Sequence, residues 1–497
     1  MNQNPMPRVE PQTPDFPGLI ARLKAAIPAH CILSRIEDTR PYECDGLSLY
    51  RCLPPLVVLP ENEQQAIALM QACKALNIPI VARGAGTGLS GGAMPHAQGV
   101  VLGLSKLNRI IGIDPESATA VVQPGVRNLA ISEAAAAHGL YYAPDPSSQI
   151  ACSIGGNVAE NSGGVHCLKY GLTVHNILRA RVVTIDGNVL ELGSEAPDAP
   201  GLDLLAVFIG SEGMLGVVTE VTVKLIPRPA CARVVMASFA SVEAAGQAVT
   251  NIIAAGIIPA GLEMMDKRAV HMVEPFVCAG YDLDAAAILL CESDGTQDEV
   301  DDEIERMEAV FRGAGATRLQ VSASEAERLK FWAGRKNAFP AAGRISPDYY
   351  CMDGTIPRRH LARVLGAIEQ MEDEYGLRCA NVFHAGDGNL HPLIMFDSNQ
   401  PAEVERAEKF GASILELCVQ VGGTVTGEHG IGIEKINQMC VQFKPEELGA
   451  FSAVKAAFDP YGLLNPDKVI PTLARCAEYG KMHVHGGDIS FPELPRF

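Results

Sequence analysis

A strand-like run ending at Ala82 leads straight into Arg83-Gly84-Ala85-Gly86-Thr87-Gly88-Leu89-Ser90-Gly91-Gly92, and no helix starts where this loop ends. Ala93-Met94-Pro95 follows, and the next readable element is a strand over Val100 to Leu104. So dense a run of glycine lets backbone amides approach and surround a phosphate. Two familiar patterns fit the spacing. Gly86-x-Gly88-x-x-Gly91 fits the dinucleotide fingerprint, and Gly88-x-Ser90-x-Gly92 fits the nucleophile elbow of hydrolases, but both require a helix immediately after the motif. The loop thus argues against an NAD-binding fold and a serine hydrolase, and leaves a pyrophosphate to be held by backbone amides alone.

At 497 residues the chain is too long for one ordinary core, so two or three domains are expected, and a 47% hydrophobic fraction is ample to fill them. No run of about 18 apolar residues occurs. The start, Met1 to Pro17, has no basic segment followed by an apolar one, which reads as a cytoplasmic chain. A formal charge of -18 disfavours nucleic acid or an anionic membrane surface as a direct partner. The 14 cysteines are scattered without a C-x-x-C pair, which suits reduced core residues. Such spacing offers no ligand set for an iron–sulfur cluster, so any cluster in an electron path would sit on another subunit.

Along the chain, Pro55 to Pro60, Glu61 to Leu76 and Ile78 to Ala82 read as one β-α-β unit. Ala118 to Gln123 is strand-like, Leu129 to His138 is helical, and short strands dominate from Asn176 to Val223 around an Asp186-Gly187 hairpin signal. Residues 1–228 thus form a first α+β domain with its core at about 51–228, ending at Pro227-Arg228-Pro229. Strand Val234 to Ser238, helix Val242 to Ala255, strand Ala286 to Cys291 and helix Gln297 to Phe311 then alternate. This predicts, for 229–425, an antiparallel sheet with helices on one face. A closing segment, 426–497, carries a helix and Asn465-Pro466-Asp467-Lys468.

Three more segments supply small residues and hydroxyls suited to close contact with a flat ring and its phosphates. They are Pro144-Asp145-Pro146-Ser147-Ser148 with Cys152 to Gly164, then Gly210-Ser211-Glu212-Gly213-Met214-Leu215-Gly216-Val217, and Gly125-Val126. Far downstream, Phe383-His384-Ala385-Gly386-Asp387-Gly388-Asn389-Leu390-His391 and Thr426-Gly427-Glu428-His429-Gly430 set three histidines and a carboxylate among glycines. Two imidazoles and a carboxylate can hold a divalent metal with an open position, and the remaining histidine is then free to move a proton. That set outlines a hydrolase as readily as an oxidoreductase. Asp387 and Asn389 alternatively stabilise a turn between two strand ends.

Taken in order, Arg83-Gly84-x-Gly86-Thr87-Gly88, Pro144-Asp145-Pro146, Gly155-Gly156-Asn157 and Gly210-Ser211-Glu212-Gly213-x-Leu215-Gly216 resemble the vanillyl-alcohol oxidase-type FAD-binding family. The two histidine motifs are similar to its D-2-hydroxyacid dehydrogenase branch, and the likeness spans residues 40–475. The resemblance implies a fold made of a two-subdomain FAD-binding (PCMH-type) domain and a ferredoxin-like α+β cap, with a C-terminal helical segment returning to the flavin. It also implies that Arg83, Gly84, Ala85, Gly86, Thr87, Gly88 and Ser90 cradle the FAD pyrophosphate. Pro144, Asp145, Ser147, Ser153, Gly155 and Asn157 would line the adenosine and flavin, with Glu212, Gly213, Val217 and Asn465 completing the pocket. Relatives with covalent FAD carry a histidine in the glycine loop; none occurs between Arg83 and Met94, which implies noncovalent FAD.

The same resemblance implies a divalent metal, zinc, manganese or iron, on His384, His391 and Glu428, with His429 as general base and Arg335 as the anchor for a substrate carboxylate. Hydroxyglutarate-oxidising relatives place a lysine where this chain reads Tyr350-Cys351-Met352-Asp353, and its absence favours a small acid such as glycolate or D-lactate over a dicarboxylate. Electrons would leave through an iron–sulfur subunit and a second flavin-type subunit of a membrane-associated complex. The competing expectations are a zinc hydrolase on the same three ligands and a noncatalytic flavin-binding partner. His166, His175 and Cys167 read as packing residues, Asp298 to Glu308 as a solvated helix face, and His483 with His485 as part of a polar tail.

Overall fold

The computed structural model describes residues 13–196 and 201–472; His483 and His485 lie outside them. Ile32–Leu33 (β1), Leu56–Val58 (β2), Ile80–Arg83 (β3) and Val100–Gly103 (β4) form a sheet in the order β1-β2-β4-β3. Both β2 and β3 run parallel to β4. Every residue of β2 and β4 is buried, as their unbroken apolar runs require when both faces are covered. The crossover between β2 and β3 is the helix Glu63–Ala75, started by Asn62, whose side chain accepts from the Gln65 N–H.

Ile110–Asp114 (β5), Thr119–Val122 (β6), Leu140–Tyr141 (β7), Ile177–Val183 (β8), Val189–Gly193 (β9), Val217–Lys224 (β10) and Ile226–Pro227 (β11) follow. Five of them make an antiparallel sheet, β5-β6-β10-β8-β9, while β7 pairs with β11. The turn at Asp186-Gly187 joins β8 to β9. No helix follows the glycine loop of residues 84–92, and the chain passes directly to β4. Ile154–Glu160 is a short helix, however, where the sequence signalled only small residues.

A seven-stranded antiparallel sheet makes up most of the second half, ordered β15-β12-β14-β13-β17-β18-β16. Its strands are Cys231–Phe239 (β12), Gly261–Asp266 (β13), Ala287–Gly295 (β14), Arg318–Val321 (β15), Asp348–Cys351 (β16), Arg378–Phe383 (β17) and Pro392–Phe396 (β18). Helices were expected on one face, but they cover both. Val235, Ala237, Phe239, Leu289 and Cys291 share a core that includes residues of the helices Val242–Ala254, Gln297–Gly313, Leu361–Tyr375 and Pro401–Gln420. Val234, Met236, Ile288 and Leu290 point the other way, into a core shared with Lys267–Val277, Glu325–Lys336, Ala338–Ala342 and Val165 of the first half. Both alternating sets are apolar over Val234–Ala237 and Ala287–Cys291, so each face demands a cover. The helix Gln297–Gly313 exposes Asp298, Asp301 and Asp302 and buries Val300, Ile304, Met307 and Phe311.

Among the described residues no helix is long and apolar enough to cross a membrane. The C-terminal segment returns to the first sheet, where Ile80 N–H donates to Leu463 O at 2.8 Å and Asn465 N–H to Ile80 O at 2.8 Å.

Polar contacts tie the two halves together. His166 lies with Nδ1 2.7 Å from Asp145 Oδ2 and Nε2 3.2 Å from Glu292 Oε1 on β14. Glu292 also accepts from Trp332 Nε1 at 2.5 Å and Arg328 Nη1 at 2.7 Å. Beside it, Asp294 accepts from Lys169 Nζ at 2.5 Å and the Tyr170 hydroxyl at 2.8 Å. Burial opposes charge on His166, but the carboxylates of Asp145 and Glu292 raise its pKa well above the ordinary value. Burial likewise pushes Glu292 up, and its cationic neighbours bring it down to about 2. The raised histidine contributes fully below its unfolded value of about 6.5 and loses that contribution as pH rises through the folded pKa. The depressed glutamate contributes fully above about 4.3, its unfolded value, and loses it as pH falls through about 2. In denaturant titrations, His166→Gln is therefore expected to lower the unfolding midpoint most between about pH 4.3 and 6.5, with the difference from the parent shrinking in alkali. A difference that stayed constant with pH would show that the imidazole contributes packing rather than charge.

Candidate active site

A cavity of about 570 Å³ opens between the two halves of the chain. One wall is the loop Arg83, Gly84, Ala85, Gly86, Thr87 and Gly88; facing it are Ser147, Ser153, Gly155 and Asn157, then Glu212, Gly213 and Val217. At one end Arg335, His391, Glu428 and His429 join the lining. Gly86 sits at φ +73°, and a Cβ there would meet the Arg83 guanidinium at 2.1 Å. Ala85 N–H reaches Ser153 Oγ at 3.2 Å, but the N–H groups of Gly86, Thr87 and Gly88 donate to no acceptor among the described residues. Unpaired amides in a tight loop at the wall of a long cavity fit an anionic pyrophosphate.

Four residues of the expected pocket stand behind that lining. The Pro144 carbonyl accepts from Asn128 Nδ2 at 2.9 Å, and Asp145 pairs with His166. Ser90 Oγ donates to His429 O at 2.9 Å. Asn465 Nδ2 donates to Gly92 O at 3.1 Å and Glu212 O at 2.6 Å, tying the returning segment to two walls.

The histidine motif is a turn between strand ends. His384 follows β17, His391 precedes β18, and the chain reverses between them with Gly388 N–H donating to His384 O at 3.0 Å. Asn389 N–H donates to Asp387 Oδ1 at 3.0 Å, which accounts for both polar residues of the motif. Gly388 is at φ +86° with Ile356 O only 2.1 Å from where a Cβ would stand, so no side chain fits there. The imidazoles meet edge to face with centroids 5.0 Å apart, and His391 stacks on His429, also at 5.0 Å. Glu428 Oε1 lies 3.3 Å from His384 Nε2 and 3.0 Å from His391 Nε2.

These three donor atoms lie within 4.8 Å of one another, which fits a divalent ion held by two nitrogens and one oxygen. Burial would push the Glu428 carboxyl up, but hydrogen bonds from His384 and His391 hold it well below the usual carboxylate range. Burial pushes His429 down to about 4, so its imidazole is neutral at neutral pH. Arg335, at the end of the helix Glu325–Lys336, is buried, with Nε 2.5 Å from Glu263 Oε2 and Nη2 3.5 Å from His384 Nε2.

Two residues that the sequence reading passed over organise this cluster. Asp353, after β16, accepts N–H groups of Gly427 (3.1 Å), Glu428 (3.2 Å) and His429 (2.9 Å), together with Asn389 Nδ2 (2.8 Å), Lys435 Nζ (3.2 Å) and the Thr426 hydroxyl. Asp353 and Lys435 are both fully buried. Glu263, on β13, holds Arg335 through one oxygen and His384 through the other. A lone carboxylate in the apolar strand Gly261-Leu262-Glu263-Met264-Met265 was a legible signal of a paired buried charge, since such a group is not tolerated unpaired.

The chain also matches known protein families and relatives. Residues 54–193 match the family described as an FAD binding domain, and residues 228–469 match the C-terminal domain of FAD linked oxidases. The chain is 62% identical to glycolate oxidase subunit GlcD of Escherichia coli (strain K12), over 97% of either chain. It is 31% identical to a D-lactate dehydrogenase of Anaerostipes hadrus, over 91% of this chain and 97% of that one. Among solved structures, 4-ethylphenol oxidase from Gulosibacter chungangensis superposes with a TM-score of 0.76 at 18% identity, over 92% of this chain and 98% of the other, which carries the fold.

Replacing Asp353 by Ala leaves the buried Lys435 ammonium with only the Glu434 carboxylate, 3.5 Å away, and the loop amides of Glu428 and His429 without their acceptor. The expected cost is about 3–5 kcal/mol in unfolding free energy. Denaturant titration of Asp353→Ala measures it, and a loss below about 1 kcal/mol, the level of an exposed pair, would refute the role given to this carboxylate.

Proposed function

The chain belongs to the FAD-linked oxidase family, and on that premise we propose that it oxidises a small 2-hydroxyacid, glycolate or D-lactate, to the 2-oxoacid. The observation that carries this reading is the shared cavity: Arg335, His391, Glu428 and His429 line the same space as the glycine loop. When bound, FAD supplies the hydride acceptor and a divalent metal the Lewis acid that makes the substrate hydroxyl more acidic.

The residues divide the remaining work. Arg335 anchors the substrate carboxylate, a task suited to a planar guanidinium whose Nε is already committed to Glu263. Anchoring that end fixes which hydrogen of the hydroxyl-bearing carbon faces the flavin. His384, His391 and Glu428 are the metal donors. His429, neutral and stacked on His391, accepts the hydroxyl proton as the C–H electron pair leaves. The unpaired amides of Gly86, Thr87 and Gly88 hold the pyrophosphate, and Asn465 closes the wall behind Gly92 and Glu212.

The Escherichia coli relative is named as a subunit, and this chain is accordingly placed in a complex. An iron–sulfur subunit and a second flavin-type subunit are the partners its electron path calls for, with any membrane association made through them.

Anaerobic mixing with glycolate, D-lactate, L-lactate and D-2-hydroxyglutarate, before and after chelation, tests the assignment. Glycolate and D-lactate are expected to bleach the flavin, the dicarboxylate to do so poorly, and chelation to abolish reduction until metal is returned. Protein that never takes up FAD, or reduction indifferent to chelator, would overturn the cofactor and metal assignments respectively. His429→Asn is expected to slow flavin reduction by roughly 10²–10⁴-fold with FAD still bound. Reduction at the parent rate would remove His429 as the base.

A further inference from the structure

Glu263 occupies the middle of β13, 1% exposed, and both of its oxygens are spent on site residues from other elements. Oε1 lies 2.6 Å from Nδ1 of His384, at the end of β17, and Oε2 lies 2.5 Å from Nε of Arg335, in the last turn of the helix Glu325–Lys336. Among the described residues these are the only hydrogen-bond partners of its side chain. Both present an N–H to it, so both oxygens must accept. A glutamine in this place has one accepting and one donating end, and would turn an N–H toward an N–H.

We infer that Glu263 is a positioning residue that couples metal binding to substrate binding through a single carboxylate. By taking the proton-bearing Nδ1 of His384, it leaves Nε2 as the ligating atom and fixes the plane of the ring. By taking Nε of Arg335, it fixes the guanidinium so that its outer edge is free for the acid's carboxylate. The two groups cannot be oriented independently, because the strand supplies one anchor for both. Arg335 Nη2 stands only 3.5 Å from His384 Nε2, so a guanidinium freed from Oε2 can swing against the ligand it neighbours. This inference rests on the metal and carboxylate roles proposed above.

The test compares parent, Glu263→Gln and His384→Ala, each loaded with FAD. Metal affinity is read by competition between Mn²⁺ or Zn²⁺ and a chelator, and acid affinity by the concentration of D-lactate giving half-maximal anaerobic flavin reduction. Glu263→Gln is expected to weaken the metal about 10–100-fold, and to raise the half-saturating acid concentration about tenfold when the metal is saturating. A role confined to folding would move the unfolding midpoint and leave both quantities alone. Should Glu263→Gln fail to fold because Arg335 is left unpaired, the comparison moves to Arg335→Met with and without Glu263→Ala, the double variant stranding no buried charge and leaving His384 Nδ1 without its acceptor. Weaker metal in the double variant than in Arg335→Met supports the inference. Equal metal affinity, or a double variant that also fails to fold, assigns Glu263 to folding and overturns it. The underlying metal assignment fails separately, if His384→Ala binds metal as tightly as the parent does.

Discussion

The buried pair of Asp353 and Lys435 is the constraint on which the active end of the cavity depends. Neither side chain has contact with solvent, and the carboxylate sits in a nest of successive N–H groups from the loop that carries Glu428 and His429. Burial alone would push Asp353 toward its neutral form, but electrostatic attraction, that of the Lys435 ammonium included, holds its pKa well below the ordinary range. A pair of this kind contributes little net stability, because desolvation offsets much of the attraction. Its value here is registry. Residues 426–430 are held in an arrangement that satisfies three backbone donors and an ammonium at once and turns two adjacent side chains toward the same cavity.

The seven-stranded sheet then serves two purposes with its two faces. One is lined mainly by apolar residues and closed by four long helices, which gives the rigidity that a precisely oriented site requires. The other is apolar at its outer reach but carries Glu263, Glu292 and Asp294 where it meets the first half of the chain. Each of these carboxylates is matched by cations from more distant segments: Arg335 and His384, Arg328 and His166, and Lys169. Charge placed on a sheet face is thus used for docking and for the site itself, whereas the opposite face mainly packs.

Much of this was legible in the sequence. The glycine loop announced itself by composition and by the proline that prevents a helix, and the histidine turn by glycines between two strand-forming runs. Both signals are local, as backbone preferences are. The cover on both faces of the large sheet was misread, although Val234 to Ala237 and Ala286 to Cys291 are apolar at consecutive positions, a pattern that already calls for burial on two sides. Asp145, expected against the flavin, is instead spent on His166, whose other nitrogen faces Glu292 from the other half. Glu263 and Asp353 escaped for a different reason. Their partners lie 72 and 121 positions away in the first case and from 36 to 82 in the second, so only the folded chain brings them together.

The return of the C-terminal segment to β3 bears on how this chain is made. Ile80 is matched by Leu463 to Asn465, a pairing between one of the first strands to leave the ribosome and residues synthesised nearly four hundred positions later. Until those residues emerge, the edge of the first sheet is open and the wall around Gly92 and Glu212 is incomplete. Vectorial synthesis therefore presents the glycine loop long before the segment that closes the wall behind it.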